Sequence, residues 1–193
     1  EWGQLPDHRP PSSGVLFLGM NMQRTWLIDC DNTLYPAGNG LFDRVDARIS
    51  SFMADMGIAP DEIGPLRRRY WDEYGVTLGG LIAEHQVNPE RYLSYVHDIE
   101  LDDIIAPDPA LADALTRLPG QRVIFTNGST VHAERVLERL GIREAVGDIY
   151  DIGFMDYIPK PRPHGYRKLL AALAVDPESC VLVDDLPANL VTA

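Results

Sequence analysis

Two aspartates one residue apart, Asp29 and Asp31, follow the run "TWLI" at residues 25–28. Asn32 and Thr33 come next, then Pro36. Three more stretches share this shape, an apolar run that ends in polar residues. "RVIFT" leads into Thr126, Asn127 and Gly128; the loop after "IYDIG" holds Lys160 between Pro159 and Pro161; "CVLVD" ends in Asp184 and Asp185. In open α/β sheets the reacting groups gather at the carboxyl ends of the strands, so these four ends would meet in one place. Along an extended chain residues 29 and 31 point to one side, and Cys30 points to the other. Carboxylates brought together repel unless a cation joins them. Oxygen donors without His or Cys suit Mg²⁺. Mg²⁺ beside a lysine is the setting for a phosphoryl group, whose charge must be offset in the transition state. An aspartate can attack phosphorus and carry the phosphoryl group. A second carboxyl can protonate the leaving oxygen and later activate water.

The elements that must position these residues follow from periodicity. Strands are expected at about 24–29, 122–126, 149–153 and 180–184. Leu41, Val45, Ile49, Phe52, Met53 and Met56 recur at helical spacing up to Gly57, and further helices are expected at about 60–74, 77–87 and 89–98. After a linker rich in proline, helices at about 109–118 and 163–174 flank one that Ser129 caps and Gly141 ends. Apolar strands alternating with helices mean a parallel sheet covered on both faces. The expected fold is thus α/β, a Rossmann-like core of residues 22–35 and 107–193, with a small helical cap, residues 36–106, inserted after strand 1. Residues 1–21, rich in Pro, Gly and Ser, read as a flexible leader outside the fold, with the natural start expected near Met20 or Met22.

Composition narrows the partners. The 193 residues carry a formal net charge of −12, a poor basis for binding nucleic acid or an anionic membrane. An anionic substrate therefore requires local positive charge. Cys30 and Cys180 stand in apolar runs, in no CxxC or Cys/His cluster, so no zinc site is read and a reducing cytoplasm is expected. No apolar run approaches the ~20 residues of a membrane span.

"DCDNTLYP", "FTNGS", "PKP" and "VDDLPANL" resemble, in order, the four motifs of the haloacid dehalogenase-like superfamily of phosphohydrolases, in the subset with a helical cap after the first motif. "DNTLYP", "YWDEYGVTLGGL" and "FTNGS" are most similar to its pyrimidine 5'-nucleotidase branch. The resemblance implies that Asp29 is the nucleophile and Asp31 the general acid/base, its backbone carbonyl also binding Mg²⁺. Thr126 and the backbone N–H of Asn127 would hold the phosphoryl group, and Lys160 would pair with it and with Asp29. Asp185 would bind Mg²⁺ directly, and Asp184 directly or through a water. The implied substrate is a small phosphorylated metabolite, a nucleoside 5'-monophosphate, acted on by a monomer or homodimer. The family pattern continues beyond Ala193 with the rest of a helix and another strand, so the sheet is expected to lack an edge element.

Plainer uses exist for each stretch. Asp-Asn-Thr suits a turn, an Asp after a strand caps a helix, and a lysine between prolines can be solvated. In the cap, Tyr70 and Tyr74 lie four apart on one helical face and could stack on a base; aromatics at that spacing also serve as core. His85, His97, His132 and His164 form no pair or triad in the sequence and are read as surface or satisfied residues. Arg67, Arg68 and Arg69 read as a solvated face from which one arginine could reach a nucleotide. The rival functions are a haloacid dehalogenase, which needs neither Mg²⁺ nor a second Asp at position 31, a phosphomutase, a phosphatase of sugar phosphates, and an inactive binding domain.

Overall fold

The computed structural model of the protein describes residues 24–193; the expected leader, residues 1–21, lies outside the described residues. Four parallel strands form one sheet in the order β3-β2-β1-β4: β1 (Thr25–Ile28), β2 (Gln121–Phe125), β3 (Ile149–Tyr150) and β4 (Cys180–Val183). β1 lies at the centre, with Ile28 beside Ile124 of β2 and Val183 of β4. This register brings the three chain ends level, so the residues that follow each strand leave the sheet side by side.

Successive strand residues serve opposite faces. Ile28 and Ile124 face α5 (Pro109–Arg117) and α6 (Thr130–Leu140), packing with Leu115, Val136 and Leu137. Leu27, Val123 and Phe125 face the other way, against Tyr166 and Leu169 of α7 (Pro163–Leu173). Where both faces are covered, at Leu27, Ile28, Val123, Ile124 and Phe125, the strand residues are apolar, as the sequence pattern predicts. Ser129 accepts the His132 N–H at the start of α6, and Gly141 ends that helix in the left-handed region, as expected of its caps.

Between β1 and β2 the chain builds α1 (Leu41–Asp55), α2 (Pro60–Tyr74), α3 (Thr77–His85) and α4 (Pro89–Val96). They share one apolar cluster that includes Phe52, Met53, Tyr70 and Leu81 and continues into the α7 face of the core. Gly80 makes the α2–α3 contact possible, because a Cβ there would fall 2.1 Å from the Tyr70 ring. A short α8 (Pro187–Thr192) follows β4.

Two expectations need correction. β3 is two residues long, where a strand over 149–153 is expected. Asp151 ends it: its carboxylate accepts from the Thr130 N–H (2.8 Å), the Thr130 hydroxyl (2.7 Å) and the Phe154 N–H (2.8 Å), turning the chain out of the sheet. The helix expected to reach residue 98 stops at Val96, because His97 N–H closes the last turn onto Leu93 and Ile99 N–H bonds the His97 carbonyl. Among the described residues no helix is long and apolar enough to cross a membrane.

Candidate active site

Asp29 is the first residue past β1, its N–H still bonded to the Val183 carbonyl (2.9 Å). The chain then turns sharply. Asn32 takes a left-handed conformation (φ 59°), which asparagine tolerates better than most residues. The turn carries Thr33 back under Asp29, where its hydroxyl donates to Asp29 Oδ2 (3.0 Å) and accepts the Asp185 N–H (3.1 Å). Thr33 therefore ties the end of β1 to the end of β4.

Lys160 is 2% exposed. Its ammonium donates to Asp29 Oδ1 (2.8 Å), Asp184 Oδ2 (2.7 Å) and the Phe125 carbonyl (2.7 Å). Asn127 aims it: the Asn127 side chain accepts from the Lys160 backbone N–H (2.8 Å) and donates to the Lys160 carbonyl (3.1 Å). The other Asp184 oxygen accepts from Asn189 Nδ2 (2.7 Å) and the Leu186 N–H (3.0 Å). Thr126 is buried, and its Oγ accepts the Gly128 N–H (3.0 Å), leaving its hydroxyl hydrogen for a partner in the cavity.

Burial, against the pull of Lys160, pushes the Asp29 carboxyl up to about 6. Burial and the neighbouring Asp184 also raise Asp185. Asp29, Asp184 and Asp185 each offer an oxygen within 4.8 Å of the others. An oxygen-only cluster in which Asp29 and Asp185 resist ionisation is short of positive charge, and this fits a hard divalent cation such as Mg²⁺. The Asp31 carboxylate stands apart from that cluster. Burial would raise it too, but the His132 ring, its hydrogen bond and that of Tyr35 hold it down at about 2.

These groups form the floor of a cavity of about 480 Å³ between the strand ends and the helices α1–α4. The cavity walls are mostly apolar, with Phe42 and Trp71 among them, and Arg67 reaches in from α2. Arg67 Nη2 donates to Asp46 Oδ1 (2.6 Å), while its Nε is buried with no partner. Of the residues expected from the sequence, Asp29, Asp31, Thr126, Asn127, Lys160 and Asp185 line this cavity, with Asp184 directly behind Lys160.

Tyr70 and Tyr74 do not line it, which corrects the expectation of a stacking face there. Tyr70 is buried between α2 and α3, its hydroxyl held by Glu84 (3.1 Å) and His85 (2.9 Å), and Tyr74 also bonds Glu84 (3.3 Å). Their shared face is the inner face of the helix pair, and Trp71, 57% exposed, sits on the cavity side. For His97 and His132 the expectation of no pairing needs correction as well: His132 Nε2 lies 2.8 Å from Asp31 Oδ1, and His97 stacks on His132 at 4.3 Å. A signal existed, since His132 shares the apolar face of α6 with Ala133, Val136, Leu137 and Leu140. A histidine on that face, one turn past a strand end, has to sit beside the other strand ends. Tyr35, one turn after Asp31, and Asn189 were missed for the same reason: their spacing to the aspartates shows only once the turns are formed.

Comparison with known proteins agrees with this architecture. A family model of haloacid dehalogenase-like hydrolases matches residues 24–193. Phosphate metabolism protein 8 of Saccharomyces cerevisiae is 28% identical over 188 residues, 89% of this chain and 58% of that protein. The chain thus spans little more than half of that relative. L-2-haloacid dehalogenase from Xanthobacter autotrophicus, with chloropropionic acid covalently bound, has a TM-score of 0.51 at 16% identity, over 88% of this chain and 72% of its own. The HAD-hydrolase YfnB from Bacillus subtilis, bound to magnesium, has a TM-score of 0.53 at 15% identity, over 88% and 83%. The two structures are likenesses of fold. Matched from the first strand through all four motifs, the chain belongs to the haloacid dehalogenase-like hydrolases.

Proposed function

We propose that the protein hydrolyses small phosphate monoesters with Mg²⁺, through an aspartyl-phosphate on Asp29, and that its substrates are nucleoside 5'-monophosphates, pyrimidine ones foremost. The observation that carries this reading is the buried Lys160 ammonium set between Asp29 and Asp184 beside a third carboxylate, Asp185. Such a site has two negative groups more than its one fixed cation offsets, so it accepts a divalent cation and a phosphoryl group together. Halide displacement would give Asp184 and Asp185 no comparable task.

Asp29, Asp184 and Asp185 would hold the ion, with the Asp31 carbonyl as a further donor. Bound there, Mg²⁺ would offset the phosphoryl charge and draw these carboxyls into their ionised form. The chain's own residues do the rest. Lys160 and Thr33 each hold one oxygen of Asp29, fixing the carboxylate for attack on phosphorus. The negative phosphoryl group, once bound beside Asp31, favours the protonated form of its carboxyl, and the bond from phosphorus to the ester oxygen breaks as Asp31 gives that oxygen its proton. Asp31 then takes a proton from water, whose oxygen attacks phosphorus. The bond to Asp29 breaks and inorganic phosphate leaves. Thr126 donates to a phosphoryl oxygen throughout.

The motif residues hold only the phosphoryl group, so the choice of substrate falls to the cavity walls. Trp71 and Phe42 offer ring faces to a base, and the unpaired Arg67 Nε–H offers a donor. The preference for a pyrimidine over a bulkier purine rests on the nucleotidase branch that the motifs resemble. The test is phosphate release from a panel of nucleotides and sugar phosphates, with and without EDTA. UMP and CMP, or their deoxy forms, should lead in kcat/KM, and exhaustive chelation should silence the enzyme until Mg²⁺ is restored. A sugar phosphate or purine nucleotide at the head of the panel would overturn the substrate assignment. Activity that survives chelation would overturn the metal-dependent mechanism.

A further inference from the structure

The two oxygens of Asp31 are not equivalent. Oδ1 accepts from both the Tyr35 hydroxyl (2.6 Å) and His132 Nε2 (2.8 Å). Two donors fill the in-plane lone pairs of that oxygen. Oδ2 meets Gly128, at 3.3 Å from the point a Cβ would occupy, and Thr126 Oγ and the His132 ring crowd the same point at 3.3 and 3.4 Å. Because residue 128 is glycine, Oδ2 stays open toward the cavity.

His132 has little freedom to do otherwise. It is 1% exposed and its Nδ1 is buried with no partner. Of its two ring nitrogens only Nε2 faces an acceptor, so the N–H directed at Asp31 is that of Nε2. The His97 ring lies against it at 4.3 Å, 18° from parallel. His97 is fixed in turn: Nδ1 bonds Ser129 Oγ (2.9 Å), and its carbonyl accepts from Arg135 Nη1 (2.8 Å). The segment that returns the chain from α4 to the core therefore clamps His132, and His132 clamps Asp31.

We propose that His132 is the positioning residue of the acid/base: its Nε2–H holds Asp31 Oδ1, so that Oδ2 alone carries the transferable proton to and from the leaving oxygen and water. This rests on the phosphoryl-transfer reading above. His132 acts through Asp31. Its removal should cost most where the leaving oxygen needs a proton, and least where it leaves as a stabilised phenolate.

The test compares wild type, His132→Phe and His132→Gln on UMP and on p-nitrophenyl phosphate. General acid catalysis is worth roughly 10²–10⁴-fold, so misplacing the acid in His132→Phe should lower kcat for UMP by about 30-fold or more, and for p-nitrophenyl phosphate by less than about 5-fold. KM should stay within about threefold. His132→Gln, whose amide N–H reaches the same oxygen, should recover most of the loss. Nitrogen-15 NMR of the wild type should show a proton on His132 Nε2, a measurement that stands even if His132→Phe fails to fold. Equal losses on both substrates, a Gln variant as impaired as Phe, or an Nε2 without a proton would each overturn the role of His132 alone. Wild type inert on every phosphate ester would overturn the phosphatase reading and this role with it.

Discussion

Replacing Asp29 with Asn separates the chemistry of the site from its electrostatics. The Asp29 carboxyl is raised from 3.8 to about 6, chiefly by burial, with Lys160 opposing. The folded protein therefore holds this proton more tightly than the unfolded chain. The stability it contributes is fully present below about pH 4 and is lost as the pH rises through about 6. At ~1.4 kcal/mol for each tenfold in proton affinity, ionised Asp29 costs the metal-free fold about 3 kcal/mol above that window. For a chain of this size each kcal/mol moves Tm by ~2–4 °C, so the effect is roughly 6–12 °C. Asn carries no charge to bury, and Lys160 keeps Asp184 at 2.7 Å and the Phe125 carbonyl at 2.7 Å. In EDTA, the Tm of Asp29→Asn relative to wild type should rise by that amount between pH 4 and pH 7. Saturating Mg²⁺ should largely remove the pH trend by supplying the missing counter-charge. Turnover of the variant, measured by phosphate release, should fall below about 10⁻³ of wild type, because the amide cannot form the covalent intermediate. A Tm difference flat across pH 4–7 would refute the electrostatic reasoning. Turnover within tenfold of wild type would refute the nucleophile.

Two further substitutions probe the walls and the helices above the site. Trp71→Ala should lower kcat/KM for UMP by about 5- to 150-fold, the equivalent of a stacking contact of ~1–3 kcal/mol, and should barely alter that for a small alkyl phosphate without a base; equal losses on both would show that Trp71 does not meet the base. Gly80→Ala forces a methyl group to within 2.1 Å of the Tyr70 ring, and overpacking of this kind costs ~1–3 kcal/mol or more. Thermal unfolding should show a Tm lower by roughly 2–12 °C, and an unchanged Tm would mean that α2 and α3 separate without cost.

The sequence alone determined those parts whose causes are local. The apolar strands, the caps at Ser129 and Gly141, the placement of Asp29, Thr126 and Asp184 at strand ends, and that of Lys160 in the loop after β3 follow from periodicity and turn chemistry, which act over a few residues. The tertiary structure decided what depends on register and on which face of a helix turns inward. In-register pairing of β1 with β2 and β4 makes Asp29 and Asp184 share one lysine 131 and 24 residues away. Asn127, whose backbone N–H is expected to meet the phosphoryl group, grips the Lys160 backbone with its side chain, because that loop folds back over β2. Tyr70 and Tyr74, alike in spacing to any cavity-facing pair, turn inward because α3 packs on their side and Gly80 leaves room for a ring, and this puts Trp71 over the site. His132 lies 101 residues from Asp31, and no pattern of short period links them. Hydrogen bonds and stacking between residues so far apart exist only after the chain has closed on itself, and so the setting of the acid/base was visible only in three dimensions.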